Sequence, residues 1–231
     1  MFRLTAQHYD RIYAFKDYAA ESVRVGEVLA SNGVTEGRLL DVACGTGLHM
    51  KHLSETYEVE GLDLDPGLLA IAHERLPDAP LHEGDMAAFD LGRSFDAVTC
   101  LFSAVGYLPS QESLNATLAC FERHTRPGGV VLVEPWLFPE VFKSRHVHAM
   151  LVEDPELKIC RMNNSVRNGK HVRFSFHYLV GTPDGVEHLV EDHDTYLHSH
   201  EEYVAAFEAA GLRVSFDEQG LMGRGLYVGV R

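Results

Sequence analysis

The chain has 231 residues, 45% of them hydrophobic, enough for one large domain or a domain with an insertion, and this composition predicts a globular, soluble protein. Its 34 acidic residues against 20 basic ones leave a formal net charge of −14, which repels a phosphate backbone and disfavours nucleic acid as a partner. No run approaches the roughly 18 consecutive apolar residues of a membrane span, and the opening MFRLTAQHYDRIYAF lacks the apolar core and cleavage site of a secretory signal, so a cytoplasmic location and no membrane partner are expected.

In chain order, DYAAESVRVGEVLASNG places Ala19, Val23, Val28 and Leu29 near helical spacing and stops at Gly33, which predicts a lead-in helix. From Arg38 to Glu134, the short β-rich runs RLLDVA, YEVEGLD, PLHEGD, FDAVTCLF and GGVVLVE alternate with helical GLHMKHLSETY, PGLLAIAHERL and SQESLNATLACFERHT. Such alternation implies a parallel sheet with helices on both faces. Residues 157–197 then change character: Asn168-Gly169 and Asp184-Gly185 are hairpin turns, and Val172, Phe174, Phe176, Tyr178 and Val180 alternate as a half-buried strand requires. SHEEYVAAFEAAGLRVSF restores a helix with Ser199 as cap and Gly211 as stop, followed by a strand, and GRGLYVGV adds one more strand. The predicted architecture is α/β, a core of residues 1–136 and 198–231 with an antiparallel sheet, 137–197, inserted between the fifth strand and the last helix. The exposed edges of that inserted sheet make a homodimer plausible.

Cys44, Cys100, Cys120 and Cys160 are far apart and form no CxxC pair, so reduced structural thiols are expected and zinc is not. The pairs in HVH and HSH are read as scattered surface histidines, and without HExxH, GxSxG or a P-loop no metal, serine-nucleophile or nucleotide-hydrolysing site is predicted.

The first βα turn carries the chemistry. In LLDVACGTGLHM the strand ends near Asp41, turns through Gly45 and Gly47 and enters a helix, an arrangement that brings backbone N–H groups to the carboxyl edge of the sheet. The dinucleotide fingerprint needs a third glycine where this chain has Met50, so a nicotinamide or flavin cofactor is the weaker reading. Asp63 closes the next strand, suited to both ribose hydroxyls of an adenosine, and GDM offers Asp85 to an adenine amino group and Met86 to its ring face. Asp41 either organises the turn or meets a cationic ligand.

LDVACGTG, GLDLD, GDM and FDAVTCLFSAVGYL, in this order and spacing, resemble the S-adenosylmethionine-dependent methyltransferases with a seven-stranded Rossmann-like sheet. The resemblance implies S-adenosylmethionine as cofactor, held by Tyr18, Ala43, Gly45, Gly47, Asp63, Leu64, Asp85, Met86 and Phe102. With KDYAAES, SAVGYL, EPWLFPEVF and GRGLYVGV, the chain is similar to the N,N-dimethyltransferases of nucleotide-diphosphate-linked deoxyamino sugars in antibiotic pathways. That likeness implies a small-molecule amine as acceptor, His124 and Tyr13 as catalytic residues, and Tyr13 and Arg224 at the substrate. Between Tyr13 and KDYAAE the chain is shorter than in the amino-sugar enzymes, which leaves the acceptor open.

Methyl transfer from a sulfonium is an in-line displacement, so alignment and exclusion of water do much of the work, and an amine must also lose a proton, a task suited to histidine. By position alone His124 also reads as a helix C-terminal cap, Tyr13 as packing over the cofactor, and Arg224 as a partner for an acid. LKICRMNNSVRNGKHVR holds five basic residues and no acid, so Arg161 and Arg167 are candidates to receive a diphosphate; the other reading is a solvated hairpin face. Trp136 and Phe138 either wall the acceptor pocket or anchor the insertion, with anchoring the better fit for Phe138. Three alternatives remain: the same fold acting on another amine or a hydroxyl, a non-catalytic S-adenosylmethionine-binding protein, and a nicotinamide-dependent reductase.

Overall fold

The computed structural model describes residues 6–231, so residues 1–5 of the expected core lie outside the described residues. The principal sheet has seven strands in the order β10-β11-β5-β4-β1-β2-β3. They are β1 (Gly37–Val42), β2 (Tyr57–Asp63), β3 (Leu81–Glu83), β4 (Phe95–Cys100), β5 (Thr125–Val133), β10 (Arg213–Asp217) and β11 (Leu226–Val230). β1 to β5 run parallel, and β11 lies antiparallel between β5 and β10. The expected seven-stranded α/β sheet is present.

Parallel central strands are buried on both faces, which explains their unbroken apolar runs. Alternation sends Leu40, Val98, Val131 and Val133 to one core, under α5 (Gln111–Arg123) and α6 (His200–Ala209), and Leu39, Ala97, Val130 and Leu132 to the other, under α2 (Tyr18–Ser31), α3 (Leu48–Leu53) and α4 (Pro66–Arg75). Each such side chain, taken wholly out of water, contributes roughly 1.5–3 kcal/mol. The helices start where side chains can satisfy free N–H groups: Asp17 accepts from Ala20, Asp65 from Gly67 ahead of Pro66, and Ser110 and Ser199 form capping boxes with Ser113 and Glu202.

The buried stripe of α2 differs from the expected one. Ala19 and Val23 face solvent, while Glu21, Ser22, Val25, Val28 and Leu29 face inward. The stripe turns because Glu21 is paired inside the protein, as described below.

The second sheet has four antiparallel strands in the order β6-β7-β8-β9: β6 (His148–Glu153), β7 (Lys158–Asn168), β8 (His171–Thr182) and β9 (Gly185–Tyr196). Both expected hairpin turns are formed, with Gly169 at φ 63° supplying the left-handed position, and β6 is an additional strand upstream of residue 157. Val172, Tyr178 and Val180 are buried and Phe174 and Phe176 half-buried, as the alternation predicts. The sheet joins the rest of the molecule through the lead-in turn α1 (Tyr9–Ile12), whose Ile12 packs with Leu157, Ile159, Tyr178 and Val180.

Candidate active site

At the carboxyl edge of the principal sheet, where the chain leaves β1 in one direction and β4 in the other, the backbone is strained. Three of the four non-glycine residues with positive φ among the described residues lie here: Ala43 (57°) after β1, and Phe102 (51°) and Ser103 (62°) after β4. Such conformations cost of order 1–3 kcal/mol each and persist only where neighbours enforce them. Glu134, at the end of β5, accepts the Phe102 N–H at 2.6 Å, and Ser103 Oγ donates to the Pro135 carbonyl at 2.7 Å. The first turn is held from β2: Asp63 accepts the N–H of Gly45 on one oxygen (2.8 Å) and that of Asp65 on the other (2.9 Å). Gly45 and Gly47 take φ 58° and 75°, and a Cβ on Gly47 would stand 3.3 Å from Ala72 Cβ.

Between these turns opens a cleft lined by Tyr18, Asp41, Ala43, Gly45, His49 and Phe102, among others. Asp41 is buried, takes the Thr99 hydroxyl at 2.8 Å and is pushed up to about 6 by desolvation. At the cleft, Lys16 Nζ reaches both oxygens of Glu21 (2.7 and 2.8 Å) and stands 4.0 Å from the Phe102 ring centre, and His49 Nε2 reaches Glu21 at 2.8 Å. Burial pushes the Glu21 pKa up, but the bonds from His49 and Lys16 outweigh it and hold the carboxyl below its ordinary value. Further along the edge, Leu64 is 59% exposed at the end of β2, and Asp85, exposed, and Met86, half-buried, follow β3. Each Asp63 oxygen keeps a second lone pair after its backbone bond. Hydroxyl acceptors, an exposed apolar strip and a carboxylate by an aromatic-lined cleft suit a nucleoside bearing a cationic tail, so the residues fit S-adenosylmethionine.

The inner face of the four-stranded sheet covers this edge. Arg161 on β7 is buried, its guanidinium 5.6 Å from the Tyr13 ring centre and 5.4 Å from that of Phe176. Its Nε and Nη1, like Trp136 Nε1, are buried without a hydrogen-bond partner among the described residues. Tyr13 meets Phe102 edge-on at 5.1 Å. Arg224 lies 5.1 Å over Trp136, donates to Ser103 Oγ at 3.0 Å, and has its pKa lowered by burial against the opposing pull of Glu134 and Glu21. Tyr107, just past the strained turn, shares a hydrogen bond with His193 Nδ1 on β9, hydroxyl to ring nitrogen 2.8 Å. Tyr13, Trp136, Arg161 and Arg224 thus come together with Phe102 around one chamber.

Two expected residues do not join it. His124 lies at the opposite edge of the sheet, beside the start of β4, where its carbonyl takes the Phe95 N–H at 2.7 Å; a strand of this length sets it roughly 20 Å from Phe102. Its ring is fully used: Nε2 accepts the Leu91 N–H at 2.9 Å, Nδ1 donates to the Cys120 carbonyl at 2.7 Å, and Phe89 lies against it at 4.3 Å. Its role is to close α5. Arg167 spends its donors on the carbonyls of Gly169 and Pro139 at 2.6 and 2.7 Å, tying the hairpin tip to residues 137–145. The other basic residues of that segment are paired as well, Lys158 with Glu153, Lys170 with Glu202 and Arg173 with Asp194, so only Arg161 presents its charge to the chamber. Nor is HSH a surface pair: His198 is 1% exposed, packed between Tyr196 and Tyr203. Phe138 packs against Tyr203 and Phe216 in the core, away from Trp136. Lys16, Tyr107, Glu191 and His193 were not singled out from the sequence; for the two on β9, the signal was the alternation of buried Glu191, His193 and Thr195.

The strand order, the cleft at the point where the strand order reverses and the acid-glycine turn define an S-adenosylmethionine-dependent methyltransferase. Residues 39–129 match the family model described as a methyltransferase domain. Over 229 residues the chain is 46% identical to the dTDP-3-amino-3,4,6-trideoxy-alpha-D-glucopyranose N,N-dimethyltransferase of Streptomyces venezuelae, covering 97% of each chain. It is 45% identical to the dTDP-3-amino-3,6-dideoxy-alpha-D-glucopyranose N,N-dimethyltransferase of Streptomyces fradiae, covering 97% of this chain and 90% of that one. The S-adenosylmethionine-bound structure of CalS10, an amino pentose methyltransferase from Micromonospora echinaspora, superposes with a TM-score of 0.89 at 39% identity over 100% of this chain and 98% of the other. The chain belongs to the amino-sugar N,N-dimethyltransferase family, matched over 97% of its length.

Proposed function

We propose that this enzyme dimethylates the amino group of a dTDP-linked deoxyamino hexose, with a 3-amino sugar favoured because the relatives at 46% and 45% identity are both named for 3-amino substrates. The observation that carries the reading is the chamber next to Phe102, in which the buried Nε and Nη1 of Arg161 and Nε1 of Trp136 have no hydrogen-bond partner among the described residues.

When bound, S-adenosylmethionine supplies a methyl group activated on sulfur. The chain's part is to hold and align. Asp63 takes the ribose hydroxyls with its remaining lone pairs, Gly45 and Gly47 let the backbone approach, Leu64 and Met86 flank the adenine with Asp85 at its amino group, and Ala43, Tyr18 and Phe102 border the reactive end. Arg161 and Arg224 receive the polar oxygens of the nucleotide sugar, Arg161 by charge-assisted bonds that end the isolation of its buried donors, while Tyr13 and Trp136 wall the sugar. Closing the chamber with aromatic rings excludes water and fixes the nitrogen in line with the methyl group.

Residues 137–197 form the acceptor-side unit, and 1–136 with 198–231 the cofactor-side unit. The outer face of the four-stranded sheet exposes Leu151, Met162, Val166, Leu179 and Val190, a surface suited to a second copy of the chain; light scattering at the mass of a monomer at micromolar concentration would exclude that dimer. No described helix is long and apolar enough to cross a membrane, and all four cysteines are free thiols, which supports work in the reducing cytoplasm. The net charge of −14 supports a small-molecule partner over nucleic acid.

The test is thermal denaturation with S-adenosylhomocysteine, then with dTDP-linked amino sugars, followed by mass spectrometry of the products. A ligand at 100 times its Kd is expected to add about 2.7 kcal/mol of apparent stability. Protection by the cofactor product with no methylation of any sugar amine would overturn the substrate assignment.

A further inference from the structure

An amine that is to be methylated twice has to give up a proton twice. Around neutral pH the sugar nitrogen is an ammonium without a lone pair to attack with, and each transfer returns it to a cationic state. A proton acceptor that titrates in this range is a histidine. Among the described histidines near the cleft, His49 is committed to Glu21 and His198 is enclosed by Tyr196 and Tyr203. Among them His193 is joined to the acceptor chamber: it is 3% exposed on the inner face of β9, with its Nδ1 hydrogen-bonded to the Tyr107 hydroxyl at 2.8 Å and its ring edge-on to Phe176 at 5.0 Å.

In the tautomer whose Nδ1 accepts from Tyr107, the neutral ring carries its proton on Nε2, which lies 3.9 Å from Glu191 Oε2, and Glu191 is itself buried. Among the described residues, Glu191 on β9 and Arg161 on β7, across the Phe176 ring, are the charged groups on the inner face beside the His193 ring, with the phenols of Tyr107, Tyr178 and Tyr13 nearby, while Asp194 points to the outer face and pairs with Arg173.

We propose that Tyr107, His193 and Glu191 form the path by which the acceptor nitrogen loses its proton, with Tyr107 the residue that touches the nitrogen. The idea rests on the amino-sugar reading above. In the step an N–H bond of the ammonium breaks, its proton passes to Tyr107 Oη, and Tyr107 passes its own proton to His193 Nδ1. The phenol ends as it began, the nitrogen holds a free lone pair, and the charge rests on an imidazolium beside Glu191. Burial pushes the Tyr107 pKa well up, so the hydroxyl relays the proton without becoming a phenolate. Tyr107 is a catalytic residue in this scheme, and His193 and Glu191 act through it.

The readout is the pH dependence of kcat/KM for a dTDP-linked amino sugar, compared between the unaltered enzyme, Tyr107→Phe, His193→Gln and Glu191→Gln, with thermal protection by S-adenosylhomocysteine as the measure of folding. Removing a general base typically costs about 10²–10⁴-fold. Tyr107→Phe and His193→Gln are expected to fall about 10²-fold at about pH 6.5 and to come within about threefold of the unaltered enzyme at about pH 9, where solvent removes the proton. Glu191→Gln should show a smaller loss of the same shape, and it decides the matter if His193→Gln does not fold. A loss equal at every pH marks a structural role and overturns the relay, as does an unchanged profile. Failure of the unaltered enzyme to methylate any amino sugar overturns the substrate reading and the relay with it; turnover with an unshifted acid limb overturns the relay alone.

Discussion

Asp63→Asn separates what the acid does for the cofactor from what it does for the fold. In the free protein Asp63 accepts one backbone N–H on each oxygen, from Gly45 at 2.8 Å and Asp65 at 2.9 Å, and is 8% exposed. An asparagine can accept on one side only, so one N–H faces an NH₂ group and about 1–3 kcal/mol of hydrogen bonding is lost. Burial, however, has already raised the Asp63 pKa, which means that the charged form is penalised, and a neutral amide escapes that penalty. The two effects oppose each other, and stability without ligand should drop by about 1 kcal/mol or less. Cofactor binding has no such compensation, because the two ribose hydroxyls lose charge-assisted acceptors together, about 3 kcal/mol, or roughly 150-fold in Kd. Calorimetric titration with S-adenosylhomocysteine beside a melt of the free protein measures both quantities. An affinity within threefold of the unaltered protein would refute the ribose assignment, and equal losses in stability and affinity would show that Asp63 acts only through the turn.

His124→Ala should lower stability by about 2–4 kcal/mol, since it leaves a cavity beside Phe89 and strands the Leu91 N–H, yet change kcat by less than about threefold well below the melting temperature; a large loss of kcat in a folded variant would reinstate it at the reaction. Arg161→Met keeps the apolar stem against Phe176 and removes the charge, so KM for the nucleotide sugar should rise about 10- to 100-fold with the S-adenosylhomocysteine affinity unchanged; an unchanged KM would remove Arg161 from the substrate. His198 has its pKa lowered to about 4 by burial, against an ordinary value of 6.5, so the unfolded chain binds the additional proton between these values. Stability should therefore fall as pH drops from about 6.5 towards 4, by up to about 3 kcal/mol, and denaturant melts of His198→Asn should show a correspondingly flatter acid slope.

Much of the cofactor side was legible because it is local. A strand end, two glycines and the next helix lie within LLDVACGTGLHM, and the strain at Ala43 and the left-handed conformation of Gly45 follow from the tightness of that turn. The α2 stripe was misread for the opposite reason. Glu21 is buried only because Lys16 and His49 meet it there, and a charged residue whose partners lie outside its helix reads as a solvent position. His124 was misplaced although its position argued against it: a residue just before a parallel strand starts that strand, and ligands in these folds bind where the strands end.

The acceptor side was less legible because alternation alone does not say which set of side chains points inward, and a shift of one residue exchanges the sets. The turns remove the ambiguity. Pairing Thr182 with Gly185 across the second hairpin places Phe174 opposite His193 and Phe176 opposite Glu191. Pairing Asn168 with His171 across the first places Tyr178 opposite Arg161. Residues directly opposite share a face, so once Val172 to Val180 are known to point inward, Arg161, Glu191 and His193 must point inward with them. Charged residues held there by register need a reason to be buried. For Arg161 the unpartnered donors supply one, and the hydrogen bond from Tyr107 to His193 extends the same logic to β9: the inner face of this sheet is polar where it meets the end of β4 and apolar where it meets Ile12. A sheet that served only to shield the core would have no use for that division, whereas one that receives a charged acceptor over Phe102 requires it.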